Sequence, residues 1–155
     1  MNSEVAASFR ITGRDLDPDA VSQVTGVSPS TTWRMGEPVG TASRVVRREN
    51  GWVINSGLSS SEDVNAHVHS LLQVLRRSWN EFVEFGKAYD AEFSCVISSF
   101  AGDRPPIYFD KETVHQAAEL NAELDVDLYV FNENGSEAVV MEVKSTKPKR
   151  RKFNL

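Results

Sequence analysis

Cysteine is nearly absent from this sequence, and long apolar runs are absent altogether. Cys95 is the single cysteine among 155 residues, so the chain cannot form an internal disulfide. It lies in the apolar segment 93–97, which predicts a buried strand residue. No apolar run approaches the roughly 20 residues of a membrane span, and residues 1–5 lack the basic and apolar regions of a secretory signal. These absences predict a protein of the reducing cytoplasm that does not enter a membrane.

Basic residues are scarce in most of the chain and concentrated near its end. The net charge is −5, yet residues 144–155 hold six basic side chains and no acidic one, which leaves 11 basic against 22 acidic residues in the first 143. We expect a single α+β domain over residues 1–145 and a basic, disordered tail over residues 146–155. Because an acidic body repels nucleic acid, contact with nucleic acid is expected only through the tail.

Alternation and capping residues predict the first elements. Residues 5–12 alternate between apolar and polar side chains, as in a strand with one buried face. Asp17 and Pro18 suit the start of a short helix, and Gly26 suits its end. A loop rich in glycine and proline follows, with a short strand expected around Trp33.

The dipeptide Asn50-Gly51 accepts the backbone angles of a tight turn. We therefore predict a hairpin with strands at residues 42–48 and 52–56. After it, apolar residues recur at three- and four-residue spacing, which predicts one helix over residues 62–85 with Gly86 as its end. The remaining predicted elements are strands at 93–100 and 107–109, a helix at 111–122 capped by Asp110, and a hairpin of strands at 126–131 and 138–143 across Asn134-Gly135.

The order of these elements predicts the fold class. The first six run strand, helix, strand, strand, helix, strand, which is typical of a ferredoxin-like α+β unit. Such a unit is an antiparallel sheet with two helices on one face. We expect a third helix and a C-terminal hairpin to extend it, and leave open whether the hairpin joins the same sheet.

Several short motifs stand in the order of one known family. They are Phe9-Arg10-Ile11-Thr12-Gly13, Leu16-Asp17-Pro18-Asp19, Thr25-Gly26-Val27-Ser28-Pro29, Trp33-Arg34-Met35-Gly36-Glu37, Gly51-Trp52, Leu71-Leu72 and Leu124-Asp125-Val126-Asp127-Leu128-Tyr129. Over roughly residues 8–131 the sequence resembles the bacterial domain-of-unknown-function family 4279. The resemblance implies a small bacterial cytoplasmic domain without an established activity. Members of such families sometimes resemble immunity proteins that occur beside secreted toxins.

One set of residues suggests an enzyme. Asp127 on one predicted strand, with Glu142 and Lys144 at the end of the next, resembles the centre of the PD-(D/E)xK nucleases. There two acids hold a divalent metal and the lysine positions the attacking water. Against this hypothesis, the nuclease fold continues with a helix and a strand after the lysine, whereas basic residues follow here. The acidic body also disfavours DNA.

A second set suggests a binding surface. Its members are aromatic and charged residues, namely Trp33, Arg34, Glu37, Trp52 and Tyr129. Trp33 lies in a loop, where binding residues are common, and an arginine beside aromatic rings suits a binding surface or a small pocket. The alternative is structural: both tryptophans cover an open sheet face and Arg34 pairs with an acid.

The sequence carries no cofactor motif. His67 and His69 are two positions apart on a predicted helix and point in different directions, so a histidine metal site is not expected. We therefore expect no metal and no cofactor. The preferred hypothesis is a non-enzymatic module that binds a protein partner, with a basic partner favoured by the acidic body. The alternative is the metal-dependent nuclease.

Overall fold

A computed structural model describes residues 2–42 and 44–134 of the chain. The elements, in chain order, are β1 (Glu4–Gly13), α1 (Pro18–Thr25), β2 (Thr31–Trp33), β3 (Asn50–Asn55), α2 (Val64–Leu75), α3 (Trp79–Ala88), β4 (Asp90–Phe100), α4 (Lys111–Glu119) and β5 (Ala122–Phe131). Within these ranges no helix is long and apolar enough to cross a membrane. The second strand of the C-terminal hairpin, the boundary at residue 145 and the tail lie outside the described residues.

The five strands form one mixed sheet in the order β2-β3-β1-β4-β5. The pairs β2–β3, β3–β1 and β1–β4 are antiparallel. β5 runs parallel to β4 over ten residue pairs. The α+β class is confirmed. The sheet as a whole is mixed, because β5, whose place in the sheet was left open, joins it parallel to β4. The chain crosses back through α4 between β4 and β5, and a helical crossover of this kind returns the chain in the same direction.

One face of the sheet packs against the helices. In β1 the alternation places Val5, Ala7, Phe9 and Ile11 in the core, all at most 6% exposed. The same core takes alternate residues of β3 and β4 and the apolar sides of the four helices. Its helical members are Val21, Val64, Val68, Leu71, Leu72, Leu75, Phe82 and Ala117.

The long helix predicted over residues 62–85 is two helices. α2 ends at Leu75, a 3₁₀ turn spans Arg76–Ser78, and α3 begins at Trp79. Ser78 anchors the break, because its hydroxyl donates to the carbonyl of Thr25 at 2.6 Å. The apolar spacing is correct, since α2 and α3 pack on the same core, but periodicity alone does not reveal a bend that a contact with a distant residue fixes.

The prediction of a hairpin across Asn50-Gly51 is wrong. Both residues belong to β3, which pairs with β1 and with β2. Of the described residues in 42–48, Val46 alone forms a β-bridge, with Pro38.

Tertiary contacts explain why these two residues occupy β3. The Asn50 amide donates to the carbonyls of Arg14 (3.1 Å) and Leu16 (2.9 Å), and its oxygen accepts from the Met35 N–H at 2.6 Å. A Cβ on Gly51 would overlap the indole ring of Trp33. Asn50 therefore joins two loops by hydrogen bonds, and the lack of a side chain at Gly51 allows the Trp33 ring to pack against the strand.

Other local predictions have mixed outcomes. Asp17 caps α1 by accepting from the Asp19 N–H at 3.1 Å, and Gly26 ends the helix with a φ of 69°, as predicted. Residues 107–109 do not form a strand. α4 is capped by Asp110 as predicted but ends at Glu119. Gly86 is not a helix end, because α3 continues to Ala88.

Asp110 also joins α4 to α2. Its carboxylate accepts from the Asn65 amide (3.0 Å), from the Thr113 N–H (2.8 Å) and from His69 Nε2 (2.8 Å). These hydrogen bonds lower the pKa of Asp110 well below its ordinary value of 3.8, and the bond from Asn65 contributes most to this lowering. A carboxyl group whose pKa is lowered in the folded state stabilises the fold above its unfolded pKa, and the stabilisation is lost as the pH falls below that value.

The pH dependence of an Asp110→Asn variant tests this contact. The variant should melt at a lower temperature than the wild type at pH 6, and the gap should narrow as the pH falls from about 4 towards 2. Thermal melts by circular dichroism across this range measure it. A gap that stays constant from pH 6 to pH 2 would show that the charge of Asp110 contributes nothing.

Candidate functional site

The sheet face opposite the helices, here called the open face, carries the other set of alternate side chains. On β1 these are Ala6, Ser8, Arg10 and Thr12. The pairing register places Ser94 of β4 beside Ser8, and Val96 beside Ala6. These residues do not belong to the core cluster that contains the apolar sides of the helices.

A cavity of about 460 Å³ lies on the open face. Its floor is formed by Ala6 and Ser8 of β1 with Ser94 and Val96 of β4, and Arg10 stands at one end. The floor is half apolar and half hydroxyl-bearing. A concave surface of this size that combines apolar area with a few polar groups is the usual form of a binding site.

The segment 56–60, which follows β3, forms one wall of the cavity. It follows β1 at two points: the Ser56 N–H donates to the Ala7 carbonyl (3.0 Å), and the Val5 N–H donates to the Ser60 carbonyl (2.8 Å). Gly57 adopts a φ of 70°, a left-handed conformation that suits glycine. The wall is therefore an irregular continuation of the sheet.

His67 of α2 contacts this wall through both nitrogens of its ring. Its ring is 1% exposed, with Nδ1 2.6 Å from the Ser56 hydroxyl and Nε2 3.2 Å from the Ser59 carbonyl. A carbonyl only accepts, so Nε2 donates to Ser59, and in the neutral ring Nδ1 accepts from Ser56. The Ser70 hydroxyl adds a bond to the Ser56 carbonyl at 3.1 Å. Three part-buried hydrogen bonds thus hold the wall in place.

The polar side chains on the cavity floor, namely Arg10, Ser8 and Ser94, can all donate hydrogen bonds. Arg10 donates through Nε to the Ser8 hydroxyl at 3.3 Å, which leaves the Ser8 hydrogen available to another acceptor. Ser94 is 7% exposed and lines the same cavity, where its hydroxyl can donate or accept a hydrogen bond. Arg10 is the charged residue among those that line the cavity.

Acidic residues surround the cavity on the β4–β5 side. Glu92 lies beside Arg10 in the register, Asp125 beside Ser94, and Asp127 beside Val96. These carboxylates share the open face with Tyr129, which is 39% exposed. Cys95, in contrast, points to the core, as predicted from the sequence; burial, with smaller contributions from Asp125 and Glu92, raises the pKa of its thiol to about 12. It is therefore a packing residue and no nucleophile.

Three of the five residues predicted to bind a partner lie together. Trp33 donates through its indole N–H to the Glu49 carbonyl at 3.1 Å and carries the Arg47 guanidinium 4.0 Å above its ring. Arg34 pairs with two acids at the start of α1, Asp17 at 3.2 Å and Asp19 at 2.8 Å. Glu37 is exposed in the same segment.

The other two predicted binding residues lie elsewhere. Trp52 is fully buried among the helices, with its indole N–H donating to the Ser22 hydroxyl at 3.0 Å. Tyr129 lies on β5, at the edge of the sheet opposite to β2, which carries Trp33. The structure therefore does not bring the five residues into one site.

Of the three candidate nuclease residues, the described part of the chain contains Asp127. Asp127 is exposed on the open face, whereas Glu142 and Lys144 lie outside the described residues. In residues 2–42 and 44–134 no three histidine, cysteine or carboxylate side chains are arranged to hold a metal ion. His67 and His69 serve separate contacts, with the wall and with Asp110, as their spacing predicted.

Sequence reasoning missed the cavity. The alternation of β1 did place Ser8 and Arg10 on the face away from the core. The signal was incomplete because Ser94 and the segment 56–60 join them only through strand pairing over long sequence distances.

Together, the fold and the site define a small α+β domain with a five-stranded mixed sheet and a preformed cavity on its open face. The model of the family described as Domain of unknown function (DUF4279) matches residues 3–131. The chain belongs to this family, which confirms the resemblance seen in its motifs. No curated protein and no solved structure matches the chain.

Proposed function

We propose that this domain is a bacterial cytoplasmic binding module that docks a protein partner on the open face of its sheet, in the manner of an immunity protein. The observation that carries the proposal is the cavity of about 460 Å³ with its wall fixed by His67. A site whose shape exists before binding loses less conformational freedom when the partner arrives. The antiparallel order β2-β3-β1-β4 supports a ferredoxin-like scaffold beneath it.

Charge indicates the kind of partner. Glu92, Asp125 and Asp127 lie on the open face beside the cavity, on neighbouring strands. Carboxylates arranged in this way attract a basic surface and speed its encounter with the domain. Tyr129, on the same face, adds an aromatic ring with a polar tip, which is frequent in protein interfaces. We therefore propose a partner whose contacting surface is basic overall.

Charge reversal on the open face tests this function. The immobilised 155-residue protein should capture a partner from an extract of the cells that produce it, and Asp127→Lys should lower that capture at least about tenfold. The matched control is Glu81→Lys, on the exposed side of α3, which should leave capture unchanged. Equal capture by the two variants would show that the open face is not the docking surface.

The nuclease alternative has its own measurement. Asp127 places one carboxylate on the open face beside Asp125, but a metal centre needs further oxygen ligands. Incubation of the protein with Mg²⁺ or Mn²⁺ and with single- or double-stranded nucleic acid should give no cleavage. Metal-dependent cleavage that Asp127→Asn abolishes would replace the binding proposal with the nuclease.

A further inference from the structure

We propose that the cavity on the open face receives a carboxylate group of the partner, held by Arg10, Ser8 and Ser94. The inference rests on the proposed function and adds the chemical group that the cavity recognises. The three residues line the cavity together. Ser8 and Ser94 are adjacent across the β1–β4 pair, so their hydroxyls and the guanidinium of Arg10 converge on one small region.

The positive charge of Arg10 and the neighbouring hydroxyl donors favour a carboxylate. Ser8 uses its oxygen to accept from Arg10 and has a hydrogen left to donate. The Ser94 hydroxyl also lines the cavity and has a hydrogen that it can donate to a ligand. Hydrogen bonds from a guanidinium and hydroxyls to an ionised oxygen are about twice as strong as bonds between neutral groups.

The surroundings restrict the group to which the carboxylate is attached. Glu92 and Asp125 lie next to Arg10 and Ser94, outside the cavity lining. A bare anion would be repelled by both, because carboxylates interact with each other across a few ångströms. Ammonium groups on either side of the carboxylate would offset this repulsion. The expected ligand is therefore a glutamate or aspartate side chain within a basic surface.

Nuclear magnetic resonance titration of the full 155-residue protein tests this chemistry. The probes are the tripeptide acetyl-Lys-Glu-Lys-amide, the same peptide with Gln in place of Glu, and sodium acetate against sodium chloride. We expect saturable shifts of the Arg10 Nε–H and of the Ser8 and Ser94 amides with the Glu peptide, with binding at least about tenfold weaker for the Gln peptide and for acetate.

Variants on the same strands sharpen the test. Ser94→Ala should weaken the Glu peptide about fivefold to tenfold, whereas Ser98→Ala, on the same face of β4 but outside the cavity lining, should not. Arg10→Lys should also weaken binding of the Glu peptide. Its control is Arg14→Lys, just beyond the end of β1, which should weaken that binding less. All four variants keep the fold measurable, because none removes a core side chain.

Three results would overturn the inference. The first is the absence of saturable shifts at the cavity up to about 50 mM peptide. The second is equal binding by Ser94→Ala and Ser98→Ala. The third is acetate binding as tightly as the Glu peptide, which would assign the cavity to a free carboxylate. Partner capture that depends on Asp127 would still support the open face as a docking surface, so failure here is distinct from failure of the proposed function.

Discussion

Replacing Phe82 with alanine should lower the free energy of unfolding by about 3–5 kcal/mol. The ring is fully buried. It meets Phe9 of β1 edge-on at 6.0 Å between ring centroids and lies 5.7 Å from the ring of Trp52 on β3. Alanine would remove the ring that joins α3 to two strands and would leave a cavity between them.

Urea denaturation midpoints measure this loss. The matched control is Phe85→Ala, because Phe85 lies on the same helix but is half-buried and stacks on Tyr89 at 6.4 Å. The control should lose clearly less stability, since less apolar area leaves the core. Equal midpoints for the two variants would mean that the α3 packing described above is incorrect.

Gly86→Ala should also destabilise the domain, by about 2–3 kcal/mol. The direction is the opposite of helix propensity, which favours alanine over glycine by about 1 kcal/mol inside a helix. Gly86 lies inside α3, and a Cβ there would overlap the backbone carbonyl oxygen of Leu120. A backbone atom cannot relieve the overlap by a change of rotamer, as a flexible side chain can. The Asn121 amide fixes the approach by donating to the Gly86 carbonyl at 2.9 Å.

Thermal and urea unfolding of Gly86→Ala should be compared with Lys87→Ala. Lys87 is exposed on the same helix, so its replacement should change stability by no more than about 0.5 kcal/mol. A Gly86→Ala protein more stable than the wild type would show that α3 does not approach Leu120 so closely.

Elements with local signals were predictable from the sequence. The start and end of α1 follow from Asp17 and Gly26, because a cap and a left-handed glycine act within a few residues. Asp110 likewise marks the start of α4. The alternation of β1 assigned its core and open faces correctly, since a strand with one buried face needs a period of two.

Features that depend on distant residues were not predictable. Asn50-Gly51 is a turn signal in isolation, but its use in β3 depends on Trp33 and on the carbonyls of Arg14 and Leu16. The parallel arrangement of β5 follows from how α4 packs. The cavity likewise needs Ser94 to meet Ser8 across the sheet. In each case the side chains are visible in the sequence, but which of them come into contact depends on how the strands and helices pack.

The pairing of β1 with β4 has a consequence for how the chain is made. Glu4 pairs with Ser98 and Thr12 with Asp90, so the β4 partner of each β1 residue is synthesised between 78 and 94 residues later. At the usual rate of translation this delay lasts about 4–18 seconds. During that time Phe9 and Ile11 have no completed core to enter. The nascent chain should therefore be a good client for ribosome-associated chaperones, and its folding should be slow for its size.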